Sequence, residues 1–218
     1  MKKILGIVLS FILITSAFSQ SDRYQQVMTA NVAVLDTIKS GEKWLDMANA
    51  FQRIADAEKT QWLPYYYAAL GQVMYGYMQG APGGTGNAEK TDPLADKAEE
   101  LIIKAESLSK DNSEIYVVRK MIATLRMMAD PMNRYQTYGP QAAEALERAK
   151  KLNPDNPRVY LLEGQDKFYT PEQFGGSKTE AKTLFEESMK KYETFKPTSS
   201  IDPQWGLNQV KYFYSLCK

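Results

Sequence analysis

Apolar positions along this chain recur in steps of three and four almost from end to end, and nowhere alternate in steps of two for long enough to make a strand. The pattern Ala-x-x-x-(Ile/Leu/Phe)-x-x-(Ala/Ser) appears at Ala50/Ile54/Ala57, Ala98/Ile102/Ala105, Ala142/Leu146/Ala149 and Ala181/Phe185/Ser188. Such steps set all three side chains on one helical face, and small residues at both ends let a neighbouring helix approach. Helix starts are signed too. Asp92-Pro93, Asn156-Pro157 and Asp202-Pro203 each put a capping side chain before a proline at the first helical position, and Ser177-x-x-Glu180 is a capping box. The pattern predicts an all-α chain with helices over 22–39, 42–59, 64–79, 93–109, 113–129, 140–152, 157–169, 177–194 and 203–216.

A large aromatic opens the helix after each small-residue face: Tyr67 follows Ala57, Tyr116 follows Ala105 and Tyr160 follows Ala149, each by 10 or 11 residues. Self-similarity of this length marks stacked supersecondary units. The block Ala142-x-x-x-Leu146-x-x-Ala149-x-x-x-x-Pro154, followed by Tyr160 and Gly164, resembles the tetratricopeptide repeat (TPR) family, in which each unit pairs a helix A with an antiparallel helix B. Tyr67, Leu70 and Gly71 look like another helix A signature. Other units depart from it: Met74 stands where Tyr is usual, Glu163 for Leu, Arg119 and Lys120 for Leu and Gly, and Ser188 for Ala. The resemblance spans roughly residues 42–216 and implies an α-solenoid of about four to five helix pairs.

The resemblance also implies a short turn from A to B, yet 27 residues separate Gly71 from Ala98, 22 separate Lys120 from Ala142, and 17 separate Gly164 from Ala181. Insertions at this place line up along one edge of a stack. The first, Gly80-Ala81-Pro82-Gly83-Gly84-Thr85-Gly86-Asn87, lacks both the residue order and the strand-turn-helix setting of a phosphate loop and reads as a polar connection. The second, from Asp130 to Pro140, carries Arg134 and Tyr135, residue types enriched at binding hot spots. The third, from Thr170 to Gly176, reads as a capped turn that tucks Phe174 against the helices.

In the related family helix A lines a concave face. Carried over by position, that face takes Tyr65, Gln72 and Tyr75, then Glu114, Met121 and Thr124, then Arg158, Gln165 and Tyr169. A polar and aromatic lining suits a peptide or a small organic ligand. Since Tyr65-Tyr66-Tyr67 covers nearly a full turn, at least one of the three belongs to the core.

Composition narrows the function. Lys2 and Lys3 precede an apolar run from Ile4 to Ile14 and small residues at Ala17 and Ser19, which reads as a secretory signal peptide over 1–19. The run is too short for a bilayer span, which needs about 20 residues. Residues 20–218 are then expected as one soluble domain with no membrane span, exported to the periplasm or secreted. Without Lys2 and Lys3 the charge is nearly balanced, and no basic stripe suggests nucleic acid. Glu144 with Arg148 and Glu147 with Lys151 read as solvated pairs along one helix.

The chain has no histidine, which removes imidazole metal sites, histidine general bases and Ser-His or Cys-His nucleophiles. Cys217, the lone cysteine, reads as a packed residue of the last helix. Met121, Met127, Met128 and Met132 could suit Cu(I), but adjacent Met127 and Met128 point apart and read as core. Adjacent acids such as Glu99-Glu100 and Glu186-Glu187 diverge on a helix and do not make a catalytic pair.

No catalysis and no cofactor is expected. Two readings remain. One is a scaffold binding a protein or peptide partner by the groove or the long-loop edge; the other is a small-molecule binding protein serving a transporter. The second requires a C-terminal helix folded back over a cavity lined by Tyr65, Tyr75 and Tyr169.

Overall fold

A computed structural model describes residues 22–79 and 87–217. The signal-peptide reading and most of the first inserted loop lie outside these residues. Within them there are nine α-helices and no strand: α1 (22–32), α2 (Gly41–Ala57), α3 (Trp62–Gln79), α4 (Ala88–Leu108), α5 (Ser113–Ala129), α6 (Pro131–Leu152), α7 (Pro157–Tyr169), α8 (Lys178–Thr194) and α9 (Leu207–Leu216). Helix α2 packs along α3, α3 along α4, α5 along α6, and α7 along α8. The fold is an α-solenoid of stacked antiparallel pairs. No described helix is long and apolar enough to cross a membrane.

The small-residue faces are where the pairs meet. Ala98, Ile102 and Ala105 of α4, Ala142, Leu146 and Ala149 of α6, and Ala181, Phe185 and Ser188 of α8 are all buried. In α2 the expected triplet is one face off: Trp44, Ala48, Phe51 and Ala55 are buried, while Ala57 is exposed. Glycine lets the partner helix close in. A Cβ on Gly71 would lie 2.8 Å from the Ala48 Cβ, and one on Gly164 2.5 Å from Phe185 Cε1.

Several expected boundaries move, for local reasons. Helix α4 begins five residues before Pro93, because Asn87 accepts from the Lys90 N–H and supplies the cap in place of Asp92. The second insertion is not a loop. Asp130-Pro131 carries the same cap-proline signature as the other starts, Asp130 accepts from the Asn133 N–H, and α6 runs through Gly139 and Pro140. The surplus residues between helix A glycine and helix B alanine therefore lengthen B: α4 and α6 have 21 and 22 residues against 17 in α8.

Asp202-Pro203 does not open the last helix. The Asp202 carboxylate accepts from the Ser199 N–H in a turn, and α9 starts only after Gly206, whose φ of 112° is a left-handed conformation suited to glycine. The first predicted helix stops at residue 32, before a 3-10 helix Leu35–Thr37.

Side chains bring further corrections. Arg148 pairs with Asp111 in the α4–α5 turn rather than with Glu144, and Lys150 pairs with Glu163 of α7, so these charges tie α6 to its neighbours instead of to itself. Phe174, expected to pack inward, is 70% exposed at the end of the 3-10 helix Glu172–Phe174. Met121 is core, whereas Met128 and Met132 face solvent. Cys217 is half-buried and donates to the Phe213 carbonyl.

Candidate functional site

The starting halves of α3, α5 and α7 carry a buried polar network. Arg158 is fully buried; its Nε donates to both oxygens of Glu114, at 3.0 and 2.8 Å, and its Nη1 donates to the Trp205 carbonyl. Tyr66 Oη donates to Glu114 Oε2 at 3.0 Å and accepts from Trp205 Nε1 at 2.9 Å. Asn156 Nδ2 donates to Glu114 Oε1 and to the Ser113 hydroxyl. Burial alone opposes the guanidinium charge, but the Glu114 carboxylate more than offsets it and the Arg158 proton is held more firmly than usual.

What closes this half of the helix A face is the chain itself. The segment between α8 and α9 crosses it as a strap. Tyr67 Oη donates to the Ile201 carbonyl at 2.8 Å, Tyr192 Oη donates to the Trp205 carbonyl at 2.7 Å, and Asp36 accepts from the Gly206 and Asn208 N–H groups. Trp205 is 2% exposed. A C-terminal element does fold back, as the small-molecule reading requires, but the indole and Ile201 fill the space it covers.

Farther along, at the end of α7, the face opens onto aromatic rings. Phe213 of α9 stacks on Phe185 and meets Phe168, Tyr169 and Tyr212 edge to face, with centroids 5.4 to 5.7 Å apart. Phe213 and Phe185 are buried, yet Tyr169 and Tyr212 are 69% and 60% exposed. The Tyr169 phenol is raised, by burial first and then by Tyr212, so it stays neutral near pH 7. Lys178 Nζ sits 5.7 Å over the Phe168 ring and Lys182 Nζ 5.5 Å over Tyr214. Neither lysine has a carboxylate partner among the described residues.

The residues expected at the binding face are scattered by this arrangement. Tyr65 is buried under Lys104, and Gln72 is buried within α3. Tyr75 is half-buried, within 3.3 Å of where a Cβ on Gly41 would lie. Arg158 serves the closed network. Gln165 is half-buried, and Tyr169 is the member of the set that reaches solvent freely. The cavity proposed for Tyr65, Tyr75 and Tyr169 does not form, since Tyr65 is covered by α4 and Tyr169 is exposed.

On the second insertion, Arg134 forms a two-pronged ion pair with Asp92 at 2.6 and 2.8 Å, fixing the start of α6 to α4, and Tyr135 is 64% exposed. A separate cleft of about 1010 Å³ lies between α4, α5 and α6. It holds Glu99, Glu106, Tyr116, Arg119, Tyr138 and Arg148, and Arg119 already bridges Glu99 and Glu106.

Trp205, Tyr212 and Phe213 are not among the residues that the repeat pattern marks. The Tyr-Phe-Tyr run at 212–214 is the available signal, but only its packing decides the outcome: Tyr65-Tyr66-Tyr67 is wholly buried because α3 lies against α2, α4 and α5, whereas α9 packs mainly on α8 and leaves Tyr212 exposed.

No protein-family model and no curated protein matches the chain. Among solved structures, the HusA haemophore from Porphyromonas gingivalis is similar to it, with a TM-score of 0.77 and 36% sequence identity over 89% of this chain and 92% of that one. With a likeness of that level running nearly the full length of both, the chain belongs to the HusA family.

Proposed function

We propose that this protein is an exported, non-catalytic carrier that binds haem. The observation that carries the reading is the likeness to a haemophore across 89% of the chain at 36% identity. It favours a small-molecule cargo over a peptide in the groove, and the strap that occupies half of the helix A face argues the same way. The lysine-led apolar start of the sequence supports export. With no histidine in the chain, the protein offers no imidazole to haem iron, and recognition falls to ring faces, phenols and cations. The helix pairs are read as diverged TPR-like units.

The direct test is titration of the full chain with hemin, followed by Soret absorbance and tryptophan fluorescence. Saturable binding in or below the micromolar range is expected; a linear, non-saturating response removes the reading.

A protein partner has one observation in its favour. Met128, Met132 and Tyr135 stand exposed together where α5 turns into α6, with Met132 at 91%, and exposed apolar groups of this kind mark contact surfaces. Cross-linking through a photoreactive group at position 132 in the native extract tests it, and recovery of uncross-linked chain alone counts against it.

A further inference from the structure

We infer that the haem-class ligand docks on the aromatic shelf of α7 and α9, its ring against Tyr169 and Tyr212 and its carboxylates toward Lys178 and Lys182. This rests on the haem reading above and adds the place and the residues.

Large aromatics are normally withdrawn from water, and two held side by side at 69% and 60% exposure leave apolar area that a flat ligand can cover. The shelf is rigid. Both tyrosines lean on Phe213, which stacks on the fully buried Phe185, and Phe185 is seated by Gly164 with no room for even one added methyl group. A platform fixed before binding loses little side-chain entropy when a ligand arrives.

The surrounding charge suits a dicarboxylate. Lys178 and Lys182 lie one turn apart on α8, reach over Phe168 and Tyr214 at the shelf's margin, and form no ion pair with a described carboxylate. Both also act on the Cys217 thiol, which places their charge at the end of α9. The Tyr169 phenol, raised by burial, does not repel an anion near neutral pH. The other half of the same face is filled by Trp205 and Ile201, so this is where the helix A surface remains open.

The experiment compares hemin titrations of the full chain and its variants, with helicity checked by circular dichroism. The double variant Tyr169→Ser/Tyr212→Ser is expected to bind hemin at least about tenfold more weakly, the scale of two lost aromatic contacts. Ile103→Ser, at an exposed apolar position on α4, should bind as the parent does. Lys178→Glu/Lys182→Glu should weaken hemin severalfold while leaving the dimethyl ester of hemin unaffected, because the ester has no carboxylate to lose. If the parent chain binds hemin and the double tyrosine variant binds equally well, the shelf is wrong and the haem reading stands. Equal losses for hemin and ester in the lysine variant overturn the carboxylate assignment. A parent chain that binds neither compound overturns the haem reading itself.

Discussion

Arg158 and Glu114 lie 44 residues apart in sequence and form a two-nitrogen ion pair in the interior, with the guanidinium completely removed from water. Every remaining polar atom nearby is satisfied by Tyr66, Asn156 or the Trp205 carbonyl. Removing one partner strands the other.

Arg158→Met is therefore expected to destabilise the protein by about 3–5 kcal/mol, because it leaves the Glu114 carboxylate uncompensated. Arg158→Met combined with Glu114→Leu should recover much of that loss. Urea denaturation of the single and double variants measures both, and strictly additive losses would contradict the coupling.

Gly164→Ala tests how tightly α7 meets α8. The added methyl would lie 2.5 Å from Phe185 Cε1 in a fully buried site, and overpacking of this kind costs about 1–3 kcal/mol. Thermal unfolding reads the loss. If Gly164→Ala proves neutral, the ring is free to withdraw, and the shelf above it is not fixed before binding.

For the strap, Trp205→Phe keeps an aromatic in place but removes the donor to Tyr66, for an expected cost of about 1–3 kcal/mol; Trp205→Ala should cost about 3–5 kcal/mol. The larger loss should be accompanied by faster hydrogen exchange in α9 and in the 3-10 helix Leu35–Thr37. Unchanged exchange there would show that the strap is held without its indole.

Alkaline pH provides another measurement. Burial, and after it Glu58 and Asp202, push the Tyr24 phenol up to about 12, while Tyr66 and Tyr67 are driven well above their ordinary range by burial first and then by Glu114. An acid whose folded value is raised contributes stability that is complete below the unfolded value, near 10, and is lost as pH rises through the folded one. Stability should thus fall steeply above about pH 10, with late tyrosinate absorbance appearing together with loss of helicity. Tyr24→Phe should be neutral or slightly stabilising at pH 7, since the hydroxyl it removes is buried with no hydrogen-bond partner among the described residues.

The pairing of helices was legible because it rests on local rules. Three of the four small-residue triplets are buried, and the Asn156 and Ser177 caps form where their side chains were expected. What failed depended on competition between equally good local signals. Asp92-Pro93 loses its cap role to Asn87, whereas the cap signal of Asp130-Pro131 is masked by a stretch rich in turn-forming residues. The site was harder. Arg158 and Tyr169 come from the same helix and the same expected face, yet one is buried under the strap and the other bare, and only the path of residues 195–206 decides which. That path is a long-range choice carried by Trp205, Ile201 and Asp36, and no periodicity records it.

Thr29 bonds Ser200, and Asp36 holds Gly206 and Asn208 across about 170 residues of sequence. An open stack of helical repeats behaves as a one-dimensional array whose outer units fray independently. Here the first and last described parts of the stack hold each other, so neither end of the described stack is free. The expected behaviour is that of a ring: one cooperative unfolding transition, with the terminal helices exchanging their amide protons no sooner than the middle ones.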